Sequence, residues 1–253
     1  MLNVLNIAAR ELRSLLLSPL SWVVLAITQA FVAYAFLVKL ELFLELKPYL
    51  PGLPGAPGLT AIVVAPALKA AGMVMLLATP LVTMRLVSEE RRSGTLSLLL
   101  SAPISMTDIV IGKYVGVMSF FAIAVLVIVP TPLSLLAGGS LDYGLLASGF
   151  LGLLLLIASF TAVGLFMSTM TSHPEVAAIS SFGVLLALWN VNWAGTGAAE
   201  GVRPLFSYLA ISSHFNALLR GVVDSADLIY YLLVIITFLL LAIRRLDAMR
   251  IGH

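Results

Sequence analysis

A run of charged side chains between two apolar stretches is the strongest candidate for a functional site in this chain. Glu89, Glu90, Arg91 and Arg92 are consecutive, and Gly94, which permits a sharp backbone turn, follows two residues later. A short amphipathic helix then runs to Pro103, and its functional positions are predicted to be Thr95, Leu96, Leu98 and Leu99. Such a helix can seat its leucines in a groove of a soluble partner. The alternative is that the charges only end a membrane span.

Two further groups of residues have side chains that can recognise a partner or a substrate. His173 and Glu175 lie in a predicted short turn and form either a second contact with the same partner or a solvated turn. Lys69 lies within an apolar stretch, where it either faces a substrate path or extends its ammonium group to the outer surface. The predicted substrate path or outer gate consists of Lys69, His214, Phe215 and Arg220.

Catalytic motifs are not found in the sequence. The chain has no G-x-x-x-x-G-K-[ST] loop, no G-x-S-x-G and no paired-histidine motif, and it contains no cysteine. His214 has no cysteine or carboxylate at ligand spacing. We therefore predict no catalytic residue, no metal ligand and no cofactor bound by this chain. An intramembrane hydrolase or transferase would need a nucleophile and a base facing each other, and no convincing pair is visible.

The composition identifies the elements that must position these residues. Hydrophobic residues make up 61% of the chain and charged residues 10%, which is typical of an integral membrane protein. A chain of 253 residues has room for about six spans of roughly 20 residues each. The sequence thus predicts a single all-α membrane domain over residues 1–253 without a separate soluble domain. The net charge of +2 does not require nucleic acid as a partner, because lysines and arginines cluster at the span ends.

Hydropathy places six spans along the chain. They are predicted at Leu20 to Val38, Ala61 to Met84, Ile109 to Ala137, Leu145 to Met170, Val176 to Trp193 and Leu228 to Ile243. An even number of spans puts both termini on one side. Nine of the 14 lysines and arginines fall on that side, so the positive-inside rule predicts that both termini are cytoplasmic. The coupling segment, defined here as residues 85–108, is cytoplasmic in the same topology.

Residues 1–18 are predicted to form an amphipathic helix in the membrane interface. Its apolar face consists of Leu5, Ala8, Leu12, Leu15 and Leu16. Ser18-Pro19 should end this helix, since the residue before proline avoids the helical region. The alternative is a secretory signal cleaved near Ala33 to Ala35, but the amphipathic pattern favours a retained helix.

The connection at residues 194–227 is long and partly apolar, which is unusual for a loop. Its apolar positions include Leu205, Tyr208, Leu209, Ile211, Phe215, Leu218, Leu219 and Val222. Two structures fit the pattern: a helix that enters the outer leaflet and returns, or an interfacial amphipathic helix. Gly221 should break the chain, and Asp224 or Asp227 should cap the last span.

Three stretches of the sequence resemble one transporter family. Glu89 to Ser105, EERRSGTLSLLLSAPIS, resembles the coupling helix of ABC-2 type transporter permeases. His214 to Leu232, HFNALLRGVVDSADLIYYL, resembles the branch that contains the gliding-motility permease and permeases linked to copper-enzyme maturation. Ala9 to Ala26, ARELRSLLLSPLSWVVLA, is similar to the N-terminal helix of that branch. One departure is Ser97, at a position where such permeases often carry glutamate.

The resemblance implies a permease in a bacterial cytoplasmic membrane that exports, extracts or flips a lipophilic or envelope-related substrate. Two copies of a separate cytoplasmic ATPase would bind ATP and Mg²⁺, and a second permease copy or paralogue would complete the substrate path. In the gliding-type assembly a large external-domain protein would also join. A membrane scaffold or sensor that regulates the ATPase without moving cargo is the alternative to transport.

Overall fold

A computed structural model describes residues 2–49, 58–95, 104–137, 141–194 and 203–251 of the chain. The predicted docking residues Leu96, Leu98 and Leu99 lie outside these ranges. No β-strand occurs in the described ranges, and six helices are long and apolar enough to cross a membrane. The fold is therefore that of an all-α polytopic membrane protein, as the composition predicts.

The helices follow the predicted spans closely but extend beyond most of their ends. In chain order they are α1 Leu2–Leu17, α2 Pro19–Leu46, α3 Ala65–Thr83, α4 Ser88–Arg92, α5 Met106–Ile128, α6 Pro130–Leu133, α7 Tyr143–Met170, α8 Pro174–Ala194, α9 Arg203–Leu209, α10 Ile211–Leu219 and α11 Ser225–Ile251. The six spans are α2, α3, α5, α7, α8 and α11. A π-helical turn, Thr60–Val64, leads into α3.

Local sequence explains where several of these helices begin. Ser18 is extended, with ψ 126°, and Pro19 occupies the first turn of α2, so the predicted break between α1 and α2 is confirmed. Ser105 caps α5 by accepting a hydrogen bond from the Asp108 amide at 3.0 Å. Asp224 accepts a hydrogen bond from the Ala226 amide at 3.1 Å and caps α11.

Helix α7 lies at the centre of the bundle. In its most apolar stretch of 18 residues, 67% of the residues are buried, compared with 17% in α8 and 22% in both α2 and α11. Gly72 of α3 and Gly152 of α7 lie so close to α10 that added methyl carbons would be 2.8 Å from Phe215 and 2.9 Å from Leu218. The small residues therefore let α10 pack deep between α3 and α7. The outer helices leave broad apolar faces uncovered.

Within residues 203–227, the chain between the last two spans forms two short helices instead of one amphipathic helix. The chain is extended at Ala210, with ψ 113°, which separates α9 from α10. This break divides the predicted apolar flank. Ile211, Phe215, Leu218 and Leu219 are buried, whereas Leu205, Tyr208, Leu209 and Val222 are exposed. Gly221, at φ +81°, breaks the chain after α10 as predicted. Whether α9 and α10 enter the outer leaflet stays a prediction.

Candidate functional site

A buried lysine joins three helices at the end of the bundle that carries α4. The Lys113 Nζ atom on α5 lies 2.6 Å from Glu11 Oε1 on α1 and 2.7 Å from Glu90 Oε1 on α4. The Lys113 side chain is 4% exposed, and those of Glu11 and Glu90 are 18% and 25% exposed. We call these three residues the Lys113 triad. Breaking a charge pair with this little solvent access is costly, so the triad fixes α1, α4 and α5 relative to each other.

Two glycines allow α1 to approach α5 closely enough for these contacts. Gly112 and Gly116 lie one turn apart and flank Lys113. An added methyl carbon would lie 2.8 Å from Ile7 at the first position and 2.7 Å from Glu11 at the second. Ala8 is buried between the same helices. The two glycines thus form a groove that receives α1 and directs Glu11 towards Lys113.

Helix α4 is also attached to α7 through one buried serine. The Ser168 hydroxyl accepts hydrogen bonds from the amides of Val87 at 2.9 Å and Ser88 at 3.1 Å, and it donates to the Met84 carbonyl at 3.1 Å. These amides belong to the junction between α3 and α4, where backbone groups have no partner within a helix. A single side chain of α7 therefore supplies the missing partner and holds the junction in place.

On the outer side of α4, the ion pairs within the described ranges are exposed. Arg85 pairs with Glu89 at 3.7 Å, and Arg92 pairs with Glu175 of α8 at 3.8 Å. All four side chains are more than half exposed, so these pairs contribute little to stability. Gly94 then turns the chain at φ +74°, in the left-handed region that favours glycine. The charged run is thus buried on one side and open on the other.

The predicted coupling residues divide accordingly. Glu90 faces the bundle, while Glu89 and Arg92 lie on the exposed side of α4 with Thr95 beyond Gly94, and Arg91 is half-buried. Glu175 meets Arg92 across the gap between α4 and α8. His173 is exposed, and its amide donates a hydrogen bond to Thr171 Oγ1 at 3.1 Å. The described part of the predicted site therefore gathers at one end of the bundle.

The predicted outer gate residues occupy the opposite end, in two environments. His214 and Phe215 are buried. Lys69 and Arg220 are exposed and border one open cavity of about 530 Å³ together with Asn216. Lys69 and Asn216 also border a second cavity of about 520 Å³ beside Trp189.

His214 lies in a cluster that the sequence spacing did not indicate. Its Nδ1 atom is 2.6 Å from Asp227 Oδ1, its Nε2 atom is 2.7 Å from the Tyr208 carbonyl oxygen, and its ring stacks on Tyr230 at 4.0 Å. Both ring nitrogens thus face acceptors, and neither faces a hydroxyl group. This geometry fastens α9 and α10 to α11 and does not resemble the base of a hydrolase. Among the described residues, no three His, Cys, Asp or Glu side chains form a metal site.

A match to a known protein family distinguishes a transporter subunit from an intramembrane enzyme. The chain matches the family described as ABC-2 family transporter protein over residues 5–250. The chain belongs to this family. No curated protein matches the sequence. ABC-2 membership, with the six apolar helices, makes the chain the membrane permease component of a transporter.

Sequence reasoning missed three residues of this ABC-2 permease site. The sequence gives no signal for Glu11 or Ser168, and it indicates Lys113 only as one of the nine lysines and arginines on the predicted cytoplasmic side. The flanking Gly112 and Gly116 were a usable clue, because a small-xxx-small pattern around a lysine predicts a close helix contact at a charged position. The partners themselves lie 102 and 23 residues from Lys113, and periodicity gives no information on such pairings.

Proposed function

We propose that this chain couples ATP hydrolysis on a separate cytoplasmic ATPase to export of a lipophilic or envelope-related substrate. The observation that carries the proposal is the double role of α4. Its exposed side belongs to the predicted coupling segment. Its inner side carries Glu90 of the Lys113 triad. Family membership supports the ATPase as the partner of this segment, because ABC-2 permeases are the membrane subunits of ABC transporters.

The proposed docking surface consists of the exposed side chains Glu89 and Arg92, the half-buried Arg91, the turn at Gly94 and Thr95, and the leucines Leu96, Leu98 and Leu99. His173 and Glu175 add a second contact. Force applied to this surface would reach α1 and α5 through Lys113 and α7 through Ser168. Such a joint can convert a small displacement of α4 into rotation of packed helices.

The proposed assembly contains two permease chains and two ATPase subunits, which bind ATP and Mg²⁺. The uncovered apolar faces of α2, α8 and α11 support a second copy or a paralogue as a neighbour in the bilayer. The positive-inside rule supports a cytoplasmic α4 end with both termini inside, in a bacterial inner membrane. The predicted gate residues Lys69, His214, Phe215 and Arg220 would then lie at the outer mouth of the path, where Lys69 and Arg220 border an open cavity.

The likeness to gliding-motility and copper-enzyme-maturation permeases stays a prediction, as does a large external-domain subunit. The genes beside this one provide the test. A neighbouring ATPase gene is expected in every version of the proposal. A third gene that encodes a large external domain would support the gliding-type assembly.

Copurification and flux test the coupling role together. The full chain is coexpressed with the neighbouring ATPase as the wild type, as Glu90→Ala and as Gly94→Pro, and Arg13→Ala serves as the exposed-arginine control. We expect both coupling variants to lose ATPase copurification or ATP-driven export, while the control keeps both. Thermal unfolding of each purified permease separates loss of docking from loss of fold.

Two outcomes would contradict the proposal. Intact copurification and ATP-driven export in both Glu90→Ala and Gly94→Pro would show that this segment does not couple the ATPase to the permease. Stimulation of the ATPase in proteoliposomes without movement of any lipophilic probe would favour the scaffold or sensor function.

A further inference from the structure

A cavity lined by charged and apolar side chains lies at the Lys113 triad. It has a volume of about 370 Å³ and is enclosed by α1, the start of α2, the end of α3, α4 and Lys113 of α5. Six charged side chains line it, three of each sign: Arg10, Arg85, Lys113, Glu11, Glu89 and Glu90. Its net charge is therefore zero, which favours a ligand that carries both charges over a simple anion or cation.

Among the described residues, the pairing of these charges leaves one cation and one buried carboxylate oxygen of the cavity without a partner. Lys113 is shared between two carboxylates, and Arg85 pairs with Glu89. No ion pair in the described part of the chain involves Arg10. The Oε2 atom of Glu90 is buried and has no hydrogen-bond partner among the described residues. A buried carboxylate oxygen of this kind is costly unless a donor reaches it.

A serine hydroxyl adds a donor on the α2 side of the cavity. Ser21 lines the cavity and is 2% exposed, and within the described ranges its hydroxyl group makes no hydrogen bond. Serines in a helix usually bond to a carbonyl one turn earlier, as Thr28 does with Val24. The Ser21 hydroxyl is thus available to an oxygen atom of a ligand.

The rest of the cavity wall is suited to an amphiphile. Leu15, Leu20 and Leu81 contribute apolar surface beside the charged groups, and Leu81 is 41% exposed on the outer surface of α3. Nearby, the exposed Trp22 donates its indole N–H to the Leu16 carbonyl at 2.8 Å. Tryptophan in this setting marks the level of lipid headgroups. The cavity therefore combines charged and apolar surface near a tryptophan, as a site for a phospholipid headgroup would.

We propose that this cavity binds the headgroup of a zwitterionic phospholipid with a primary ammonium group, namely phosphatidylethanolamine. The phosphate would pair with Arg10 and accept a hydrogen bond from Ser21, and the ammonium group would donate to Glu90. Phosphatidylglycerol offers no cation to Glu90, and the quaternary ammonium of phosphatidylcholine has no N–H to donate. Inorganic phosphate can pair with the charged side chains of the cavity but leaves Leu15, Leu20 and Leu81 without an apolar partner. The cavity lies at the α4 end of the bundle, opposite the cavities that Lys69 borders.

Native mass spectrometry of the full chain tests the proposal. The protein is titrated with phosphatidylethanolamine, phosphatidylglycerol and phosphatidylcholine of identical acyl chains, and with inorganic phosphate as a competitor. We expect the apparent affinity for phosphatidylethanolamine to exceed the other two by about tenfold, the effect of roughly one charge-assisted hydrogen bond. Arg10→Gln should lower that affinity by about tenfold as well. Arg13→Gln, an exposed arginine of the same helix outside the cavity, should leave it unchanged.

Three results would overturn the proposal. Equal binding of the three lipids would remove the role of the ammonium group. Equal binding to Arg10→Gln and Arg13→Gln would show that the lipid binds elsewhere. Displacement of bound lipid by inorganic phosphate would assign the cavity to the free anion. Arg10 and Arg13 are both exposed, so neither substitution is expected to disturb folding.

Discussion

Lys113 illustrates how one buried charge can serve both stability and signal transmission. Its ammonium group is the only cation within bonding distance of Glu11 and Glu90 in the described part of the chain. Without it, two carboxylates would face each other with little solvent access. Charges in this setting are retained at a cost in folding free energy, because apolar residues of similar volume would pack as well. A functional advantage of the triad is therefore the simplest reason to keep it.

Substitutions in the triad test its contribution to stability. Lys113→Met should lower the free energy of unfolding by about 3–5 kcal/mol, because it leaves two carboxylates unpaired in a buried site. The triple variant Glu11→Gln, Glu90→Gln, Lys113→Met should recover most of that loss, since no charge remains to be buried. Thermal unfolding in detergent measures both. Equal stability of the wild type and Lys113→Met would show that the triad is not a structural joint.

Gly164 gives a second residue-scale prediction through its contact with α3. A methyl group at this position would overlap the hydroxyl of buried Thr83, which already donates to the Thr79 carbonyl at 2.8 Å. Gly164→Ala should therefore destabilise the bundle by about 1–3 kcal/mol. Gly183→Ala is the matched control, because a methyl group there meets nothing within 4 Å. If the two variants unfold at the same temperature, α3 and α7 do not pack as described.

At the scale of elements, the α9 and α10 pair depends on His214 and Asp227. A neutral imidazole has one N–H group, yet both ring nitrogens of His214 face acceptors, at 2.6 and 2.7 Å. The two contacts hold the ring of His214 between α9 and α11. Asp227→Asn keeps the shape but removes the charge. We expect it to weaken the attachment of α10 by about 1.5–3 kcal/mol, measured as faster hydrogen exchange of the α10 amides.

Asp224→Asn is the control for that experiment. Asp224 caps α11 three residues earlier, and asparagine caps helices about as well as aspartate. Hydrogen exchange in α10 should therefore match the wild type in Asp224→Asn. Equal exchange rates in the two variants would mean that the His214 contact does not hold α10.

The sequence predicted the elements well and their contacts poorly, for a physical reason. Apolar stretches of span length must form helices in a bilayer, so all six spans could be placed from hydropathy. The Ser18-Pro19 break and the turn at Gly221 followed from local backbone preferences. Glu90, in contrast, was predicted as a docking residue, and only the fold brings Lys113 and Glu11 to it. Pairings of this kind depend on helix rotation and tilt, which one sequence does not encode in its periodicity.

At the scale of the whole molecule, α4 makes two kinds of contact with its neighbouring helices. Buried contacts join α4 to α1, α5 and α7. By contrast, the exposed pair of Arg92 and Glu175, 3.8 Å apart, links α4 to α8. An exposed pair of this kind is worth at most about 1 kcal/mol, so it can open at little cost. We therefore expect the start of α8 to move relative to α4 during transport, while the buried face of α8 at Ala177, Ser181 and Leu185 stays packed on the bundle.

A cross-link between α4 and α8 tests this movement, and the absence of cysteine makes the experiment clean. Arg92→Cys with Glu175→Cys, joined by a short thiol cross-linker that reduction cleaves, should stop ATP-driven export while the ATPase remains bound. Each single cysteine variant treated with the same reagent controls for modification alone. Recovery of export on reduction would attribute the block to the link. Undiminished export at full cross-linking would mean that α4 and the start of α8 move together, so that the ATPase displaces the whole α4 end as one body.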